Sequence, residues 1–303
     1  MSLMFGTVSY LPQDEKLREI RLKAHLKQLE WVDKMLPNVQ RLGIYQGWTE
    51  DDLGLREGFI QERYEKGIGP SRARNKVLEY FYSSEYDWLM LSDDDSFLYD
   101  YYQPEMFLEE ISNSNKFDNL GIIVPINPMI QPFKKINCDP AVLDKYVFVK
   151  ASVLNGNQVM FVPNLVRQGK APVYFNSDFY DQHKGYEDVL FCVNWVQAGN
   201  KLHNLQSLIM YYGEPDNSVI YGTRDVSKAN RALVKDDCIR ALSREAGLPL
   251  IQRNGNLSVD TRRMMNCSES TVIVPRKEKI VLTDNLVVKE TTTRTSRLLK
   301  VGG

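Results

Sequence analysis

Histidine and cysteine are scarce in this sequence, which contains 3 His and 4 Cys among its 303 residues. The cysteines form no CxxC pair, and no histidine stands near them at the spacing of metal ligands; they are Cys138, Cys192, Cys238 and Cys267. This pattern excludes a structural zinc site built on them. We predict that the four thiols are reduced and pack as small apolar side chains.

Long apolar runs are also missing. No stretch approaches the roughly 18 residues that a membrane span requires, and the first residues lack a basic start followed by a long apolar segment. These absences predict a cytoplasmic protein with no secretion signal and no membrane span. Hydrophobic residues still make up 43% of the chain, which is enough to build one large or two modest domains.

Charge is distributed unevenly along the chain. Residues 222–303 carry 16 Lys and Arg against 9 Asp and Glu, whereas residues 1–221 carry 22 against 30. A basic segment of this kind indicates an anionic partner, or else a tail that is simply solvated. We predict a main α/β domain over residues 1–221 and a basic α+β extension over residues 222–303.

The main domain is organised around residues 86–96, YDWLMLSDDDS, where a short apolar run ends in three consecutive acids. The run has the length and composition of a buried strand in a parallel sheet. Such a strand would deliver Asp93, Asp94 and Asp95 at its carboxyl end, where open α/β sheets bind ligands. Alternation along an extended chain would turn Asp93 and Asp95 to one side, as a pair of oxygen ligands for Mg2+ or Mn2+. The alternative is a solvated acidic turn or helix cap.

Hydrophobic periodicity predicts the elements around this strand. We expect strands over residues 4–10, 39–45 and 120–126, a strand pair over 147–153 and 158–163, and helices over 14–36, 72–83, 189–198 and 226–246. Ser71 is the predicted N-cap of the helix over 72–83. Residues 50–66 are highly charged and read as a helix or a loop. Gly199 is the predicted residue that closes the helix over 189–198.

Two further features point to a nucleotide. Arg72, Arg74 and Lys76 lie at the start of a helix, where an anion would offset their unfavourable interaction with the helix dipole; an ordinary solvated face is the alternative. Trp48 follows the second predicted strand and could stack on a base, although packing against the domain is the commoner role of a large aromatic residue.

Three stretches occur in the order found in GT-A fold glycosyltransferases, and they resemble the large inverting class of that fold. They are GPSRARNKVLEY at residues 69–80, YDWLMLSDDDS at 86–96 and GYEDVLFCVNWVQAGNKL at 185–202. The resemblance runs from about residue 5 to about residue 212. It implies a Rossmann-like GT-A fold with a central, mostly parallel sheet flanked by helices, and it makes the extension an accessory or acceptor-side segment.

The resemblance also implies roles for individual residues. Asp93 and Asp95 match the DxD carboxylates that hold Mn2+ or Mg2+ at the diphosphate of a nucleotide sugar, and Asp94 would touch the ribose or the sugar. Arg72, Arg74 and Asn75 match the segment that lines the nucleotide pocket. Asp188 matches the general base that deprotonates the acceptor hydroxyl, and Glu187 would help to place donor or acceptor.

The sequence departs from the family at two places. The histidine that often completes the metal site has no counterpart in SLIMYYGEPDNS at residues 207–218; Glu214, Asp216 or water could replace it, and His203 is expected to be structural. Gln46-Gly47-Trp48 stands where the family often has an aspartate that reads the base.

The resemblance implies a metal-dependent, inverting transfer of a sugar from a UDP-sugar to an acceptor hydroxyl. The acceptor would be a glycan or hydroxymethylated DNA. The charge asymmetry and the absence of an export signal motivate the DNA hypothesis, because certain bacteriophage sugar transferases modify hydroxymethylated bases in DNA. Two alternatives stay open: a nucleotidyltransferase, because paired acids after a strand also serve phosphoryl chemistry, and a non-catalytic sugar- or DNA-binding module on the same fold.

Overall fold

The computed structural model describes residues 2–49, 52, 59–98, 121–126, 145–151, 159–212, 228–253, 255–260 and 271–275. Within these ranges the strands are β1 (Leu3–Tyr10), β2 (Gln40–Gln46), β3 (Phe59–Tyr64), β4 (Trp88–Asp93), β5 (Ser96–Leu98), β6 (Ile122–Ile126), β7 (Lys145–Ala151), β8 (Val159–Pro163), β9 (Leu202–Tyr212), β10 (Leu250–Arg253), β11 (Asn256–Val259) and β12 (Thr271–Pro275). The helices are α1 (Glu15–Met35), α2 (Pro70–Tyr82), α3 (Ser177–His183), α4 (Glu187–Gln197) and α5 (Lys228–Ala246).

One large sheet organises the molecule. Its strand order is β12-β7-β9-β6-β8-β4-β1-β2-β3, and β5 pairs with the end of β9. The neighbours β3, β2, β1 and β4 are all parallel, whereas β8 is antiparallel to both β4 and β6. The predicted α/β fold with a central, mostly parallel sheet is confirmed. The parallel half places the carboxyl ends of β1, β2 and β4 at one edge.

The core lies between the sheet and α2. Val77 and Phe81 of α2 are fully buried with Leu89 and Leu91 of β4. Gly6 of β1 permits this close packing, because a Cβ at that position would overlap the side chain of Val77. The strand that ends in the acid triplet is therefore held by buried apolar side chains on a fixed helix.

Three local predictions are wrong. The segments over 147–153 and 158–163 do form strands, but β7 pairs with β9 and β12 while β8 pairs with β4 and β6, so they are not partners. Residues 59–64, within the stretch expected to be helix or loop, form β3. Ser71 is not the N-cap of α2, because that helix begins at Pro70 after Gly69, and the buried Ser71 Oγ has no hydrogen-bond partner in the described structure.

The predicted helix closure is confirmed, and the histidine that was expected to be structural is buried. Gly199 follows the cap of α4 with φ of +83°, and Asn200 N donates to the carbonyl of Trp195 at 3.2 Å. His203 lies in β9 with 3% exposure, and the backbone N–H of Gly121 donates to its Nδ1 at 3.4 Å. Cys192 and Cys238 are buried and form no disulfide, whereas Cys138 and Cys267 lie outside the described residues.

The described part of the extension packs on the main domain. Leu242 and Ala246 of α5 form a buried cluster with Phe179 of α3 and with Leu190 and Val193 of α4. β12 adds to the edge of the large sheet through β7. The boundary at residue 221 stays a prediction, and residues 276–303 lie outside the described ranges. Searching the described helices for a membrane-spanning segment finds none.

Candidate active site

The acid triplet ends β4 and forms the turn that leads into β5. Asp93 is the last residue of β4, and Asp94 and Asp95 make the turn. Asp94 is buried with 1% exposure and accepts hydrogen bonds from Ser9 Oγ and Arg21 Nη2. Asp95 Oδ2 accepts from Arg21 Nη1 at 2.7 Å. The predicted alternation of the three carboxylates along a strand is therefore wrong. Asp94 and Asp95 lie in a turn, and Arg21 contacts both of them.

A row of polar side chains on α1 holds this turn. Arg21, His25 and Gln28 stand at positions i, i+4 and i+7, which place them on one face of a helix. Gln28 Nε2 lies 2.6 Å from the carbonyl oxygens of both Asp93 and Ser96. His25 Nδ1 lies 3.4 Å from the carbonyl of Asp94. The helix therefore fixes the triplet through its backbone as well as through Arg21.

Sequence reasoning missed this row, because hydrophobic periodicity predicts α1 from its apolar residues and says nothing of the polar ones. The apolar Leu29 and Val32 are buried, and the polar His25 and Gln28 are buried beside them with 0% exposure. The helical spacing of Arg21, His25 and Gln28 was the available signal. A buried polar side chain needs hydrogen-bond partners, and the acidic turn supplies them.

Arg74 of α2 connects the triplet to the second acidic motif. Its Nη2 donates to Asp93 Oδ1 at 2.9 Å, and its Nη1 donates to Glu187 Oε1 at 2.9 Å. Burial disfavours a charged guanidinium, but these two carboxylates outweigh it and raise the pKa of Arg74 above its ordinary range. Burial raises the pKa of Asp93, and Arg74 opposes that shift. Arg74 thus brings together two motifs that lie far apart in the sequence.

The second motif follows a strained turn. Lys184 and Tyr186 adopt φ values of 58° and 63°, a region that non-glycine residues rarely occupy and that concentrates at functional sites. Glu187 and Asp188 then form the first turn of α4. The thiol of Cys238 in α5 donates to the carbonyl of His183 at 3.0 Å, just before the turn.

Asp188 differs from Glu187 in its partners. Its Oδ1 accepts the backbone N–H of Val189 at 2.8 Å, and no lysine or arginine of the described ranges forms a salt bridge with it. Burial and the neighbouring Glu187 raise the pKa of Asp188 to about 6. A carboxylate with this pKa is ionised at neutral pH and is a better proton acceptor than an ordinary aspartate.

The loop before α2 is held by Gln46 at the end of β2. Its Oε1 accepts the backbone N–H groups of Ile68 and Gly69 at 2.8 and 3.0 Å, and its side chain is buried. Gln46 occupies the position where the resembled family often has an aspartate. Both contacts of this oxygen fix the backbone just before α2 begins at Pro70, and α2 carries Arg74.

The remaining predicted residues lie at different depths. Arg72 is at the surface and its Nη2 donates to Asp181 at 2.6 Å. Asn75 forms a reciprocal pair with the backbone of Phe175, at 2.9 and 2.8 Å. Trp48 is buried with 4% exposure in a cluster with Leu11, Leu29 and Tyr45. The nucleotide contacts implied for Arg72, Asn75, Asp94 and Trp48 stay predictions.

Asp93 and Asp95 are the predicted ligands of a divalent cation that would be shared with a substrate. No group of three or more His, Cys, Asp or Glu side chains suited to a metal is found in the ranges that the structure describes. Glu214 and Asp216 lie outside those ranges. Mg2+ is commonly held by one or two carboxylates together with phosphates and water. Asp93 and Asp95 meet that requirement in number and in ligand type.

Comparison with known proteins gives a structural likeness. No family model and no curated protein matches the sequence. The structure is similar to that of S. aureus TarS residues 1–349 in complex with UDP-GlcNAc, with a TM-score of 0.51 and 13% identity over 81% of this chain. The chain spans 66% of that TarS structure, slightly less than two thirds. It is also similar to the mannosyltransferase PcManGT from Pyrobaculum calidifontis, in complex with GDP-Man and Mn2+, with a TM-score of 0.48 and 11% identity over 80% of this chain and 64% of that one.

At this level of identity the likeness establishes the fold. The chain has the GT-A-like fold of nucleotide-diphospho-sugar glycosyltransferases.

Proposed function

We propose that this protein is a glycosyltransferase that moves a sugar from a nucleoside diphosphate sugar to an acceptor hydroxyl. The observation that carries the proposal is the pairing of Arg74 with both Asp93 and Glu187, which joins the two acidic motifs into one site on a GT-A-like fold. TarS, with the same fold, is in complex with UDP-GlcNAc. This supports UDP as the nucleotide of the donor.

On the donor side, Asp93 and Asp95 would hold Mn2+ or Mg2+. Five carboxylates surround two arginines in this site, and the surplus of negative charge favours a cation; they are Asp93, Asp94, Asp95, Glu187 and Asp188. When bound, the cation would stabilise the charge that develops on the leaving diphosphate. Arg74 opposes the effect of burial, which raises the pKa of Asp93, and it holds the Asp93 carboxylate in place.

On the acceptor side, Asp188 is the proposed general base. No lysine or arginine of the described ranges forms a salt bridge with it, and its raised pKa suits proton removal at neutral pH. The acceptor oxygen bonds to the anomeric carbon as the bond to the diphosphate breaks, and the acceptor proton passes to Asp188. A single displacement of this kind inverts the anomeric configuration. Glu187 is held by Arg74 and positions the turn.

The proposed acceptor is a hydroxymethylated base in DNA. The support is the excess of basic residues over 222–303 together with the packing of α5 against α3 and α4, which brings part of this segment beside the Asp188 helix. Affinity for a polyanion is strongest at low salt. Duplex DNA should therefore bind at low ionic strength, and binding should weaken as salt is added. The absence of binding at low salt would contradict this acceptor and favour a glycan.

A product assay with two matched variants tests the reaction. Asp188→Asn removes a carboxylate from the first turn of α4, and Asp178→Asn removes an exposed one from the first turn of the neighbouring α3. We expect wild type and Asp178→Asn to release UDP from a UDP-sugar in the presence of acceptor. Asp188→Asn should lose at least about 100-fold in rate, the usual contribution of general base catalysis.

The same assay separates the proposal from its alternatives. Release of pyrophosphate from a nucleoside triphosphate, without release of UDP, would indicate a nucleotidyltransferase. Equal activity of Asp188→Asn and Asp178→Asn would contradict the role given to Asp188.

A further inference from the structure

Arg21 of α1 occupies an unusual place beside the acid triplet. It donates to Asp94 Oδ1 and, at 2.7 Å, to Asp95 Oδ2, and the side-chain exposures of Arg21, Asp94 and Asp95 are 11%, 2% and 13%. We propose that Arg21 is the resident counter-cation of the triplet and shields Asp95 from a bare divalent cation. The inference rests on the proposed function, because it concerns the cation proposed for Asp93 and Asp95.

Both carboxylate oxygens of Asp95 already accept a hydrogen bond. Its Oδ2 accepts from Arg21, and its Oδ1 accepts from Ser96 Oγ at 3.0 Å. A cation that approaches Asp95 must share an oxygen with a guanidinium or with a hydroxyl donor. Like charges repel, and a guanidinium–carboxylate pair is a strong charge-assisted interaction. Arg21 therefore lowers the affinity of Asp95 for an incoming cation.

Neighbouring residues fix the position of Arg21 beside the triplet. Its partner Asp94 is buried and also accepts from Ser9, so it fixes one end of the guanidinium. Gln28 and His25 hold the backbone of the turn from the same helix. These contacts keep the carboxylates of Asp94 and Asp95 within hydrogen-bonding distance of Arg21. A diphosphate brings further negative charge, which favours the entry of a cation despite Arg21.

Arg18 provides a matched control on the same helix. It lies one turn before Arg21 and pairs with Asp52, and its side chain is 32% exposed. Replacing either arginine with glutamine removes one positive charge from α1, but only the change at position 21 releases Asp95. A second variant, Arg21→Gln with Asp94→Asn, removes the buried charge that Arg21 compensates. If Arg21→Gln alone does not fold, Mn2+ binding can still be measured with the double variant.

The experiment measures Mn2+ binding to the full chain by electron paramagnetic resonance of free Mn2+, first without nucleotide. Relative to wild type, we expect Arg21→Gln and the Arg21→Gln, Asp94→Asn variant to bind Mn2+ about tenfold more tightly, a typical coupling between interacting sites. Arg18→Gln should bind as wild type does. Adding Asp95→Asn to the Arg21→Gln, Asp94→Asn variant should abolish the gain.

Two results would overturn the role of Arg21. One is that the folded variants at position 21 bind Mn2+ no more tightly than Arg18→Gln. The other is that the gain persists after Asp95 is replaced. Structural damage alone would not produce tighter binding, so a gain supports the shielding role.

Repeating the titration with UDP separates this inference from the proposed function. UDP should promote Mn2+ binding to the wild type. If UDP has no effect but the position 21 variants still gain affinity, the donor assignment fails while the shielding role of Arg21 stands.

Discussion

Replacing Arg74 should destabilise the fold strongly, because Arg74 compensates two carboxylates at once. Arg74→Met keeps a long side chain but removes the donors to Asp93 and Glu187. The side chains of Arg74 and Glu187 are each 11% exposed, and that of Asp93 is 27% exposed. Removing one partner of a buried ion pair costs about 3–5 kcal/mol. We expect about 3 kcal/mol, the lower end, because water reaches Asp93.

The assay is urea unfolding at neutral pH, with Lys76→Met as the matched control. Lys76 stands two residues later on α2 and pairs with Glu79 at the surface, where the side chains are 41% and 52% exposed. Removing such a surface pair changes the free energy of unfolding by at most about 1 kcal/mol. Adding Glu187→Gln to Arg74→Met should recover part of the loss, because one uncompensated charge is removed. If Arg74→Met and Lys76→Met are equally stable, Arg74 does not hold the two acidic motifs together.

Further outcomes follow from Asp188 and Gln46. The transfer rate should fall about tenfold for each pH unit below about 6, because the base must be ionised; a rate that stays level down to about pH 4.5 would be inconsistent with Asp188 as the base. Since folding raises the pKa of Asp188 from 3.8 to about 6, its ionisation costs stability as pH rises through that window. Asp188→Asn should therefore raise the melting temperature at about pH 8 and lose that gain toward about pH 4; a gain of the same size at both values would refute the shift. Gln46→Ala leaves two partly buried N–H groups without this acceptor and should cost about 1 kcal/mol in urea unfolding, the lower end of the range for a buried unsatisfied group. An unchanged midpoint would mean that the loop before α2 is held by other contacts.

Local sequence signals predicted the elements that position the site. The apolar run before Asp93 became β4, and helical periodicity located α1, α2, α4 and α5. Each of these signals lies within about twenty residues of sequence. They were sufficient to predict the strand that ends in the acid triplet and the helix that follows Glu187 and Asp188. The GT-A-like fold was implied by the resemblance of three ordered stretches over residues 69–202, not by these local signals.

The structure departs from prediction where contacts are distant or polar. Arg74 and Glu187 are 113 residues apart, so their pairing has no local signal. The partners of β7 and β8 are set by the whole sheet rather than by the short segment between them. β3, with the sequence FIQERY, is the outermost described strand on its side, and charged residues are common on such strands. The buried face of α1 is partly polar because the acid triplet satisfies it.

The most direct test of the donor site is thermal unfolding with UDP, GDP and their sugars, each with and without Mn2+. A ligand that binds only the native state raises its stability, by about 2.7 kcal/mol at 100 times its dissociation constant. We predict a shift that requires both a nucleotide and Mn2+ and is lost when Asp93 and Asp95 are both replaced by asparagine. Asp33→Asn, which changes a partly exposed aspartate on α1 that pairs with Arg41, should keep the shift. The absence of a shift with every nucleotide would contradict the glycosyltransferase account.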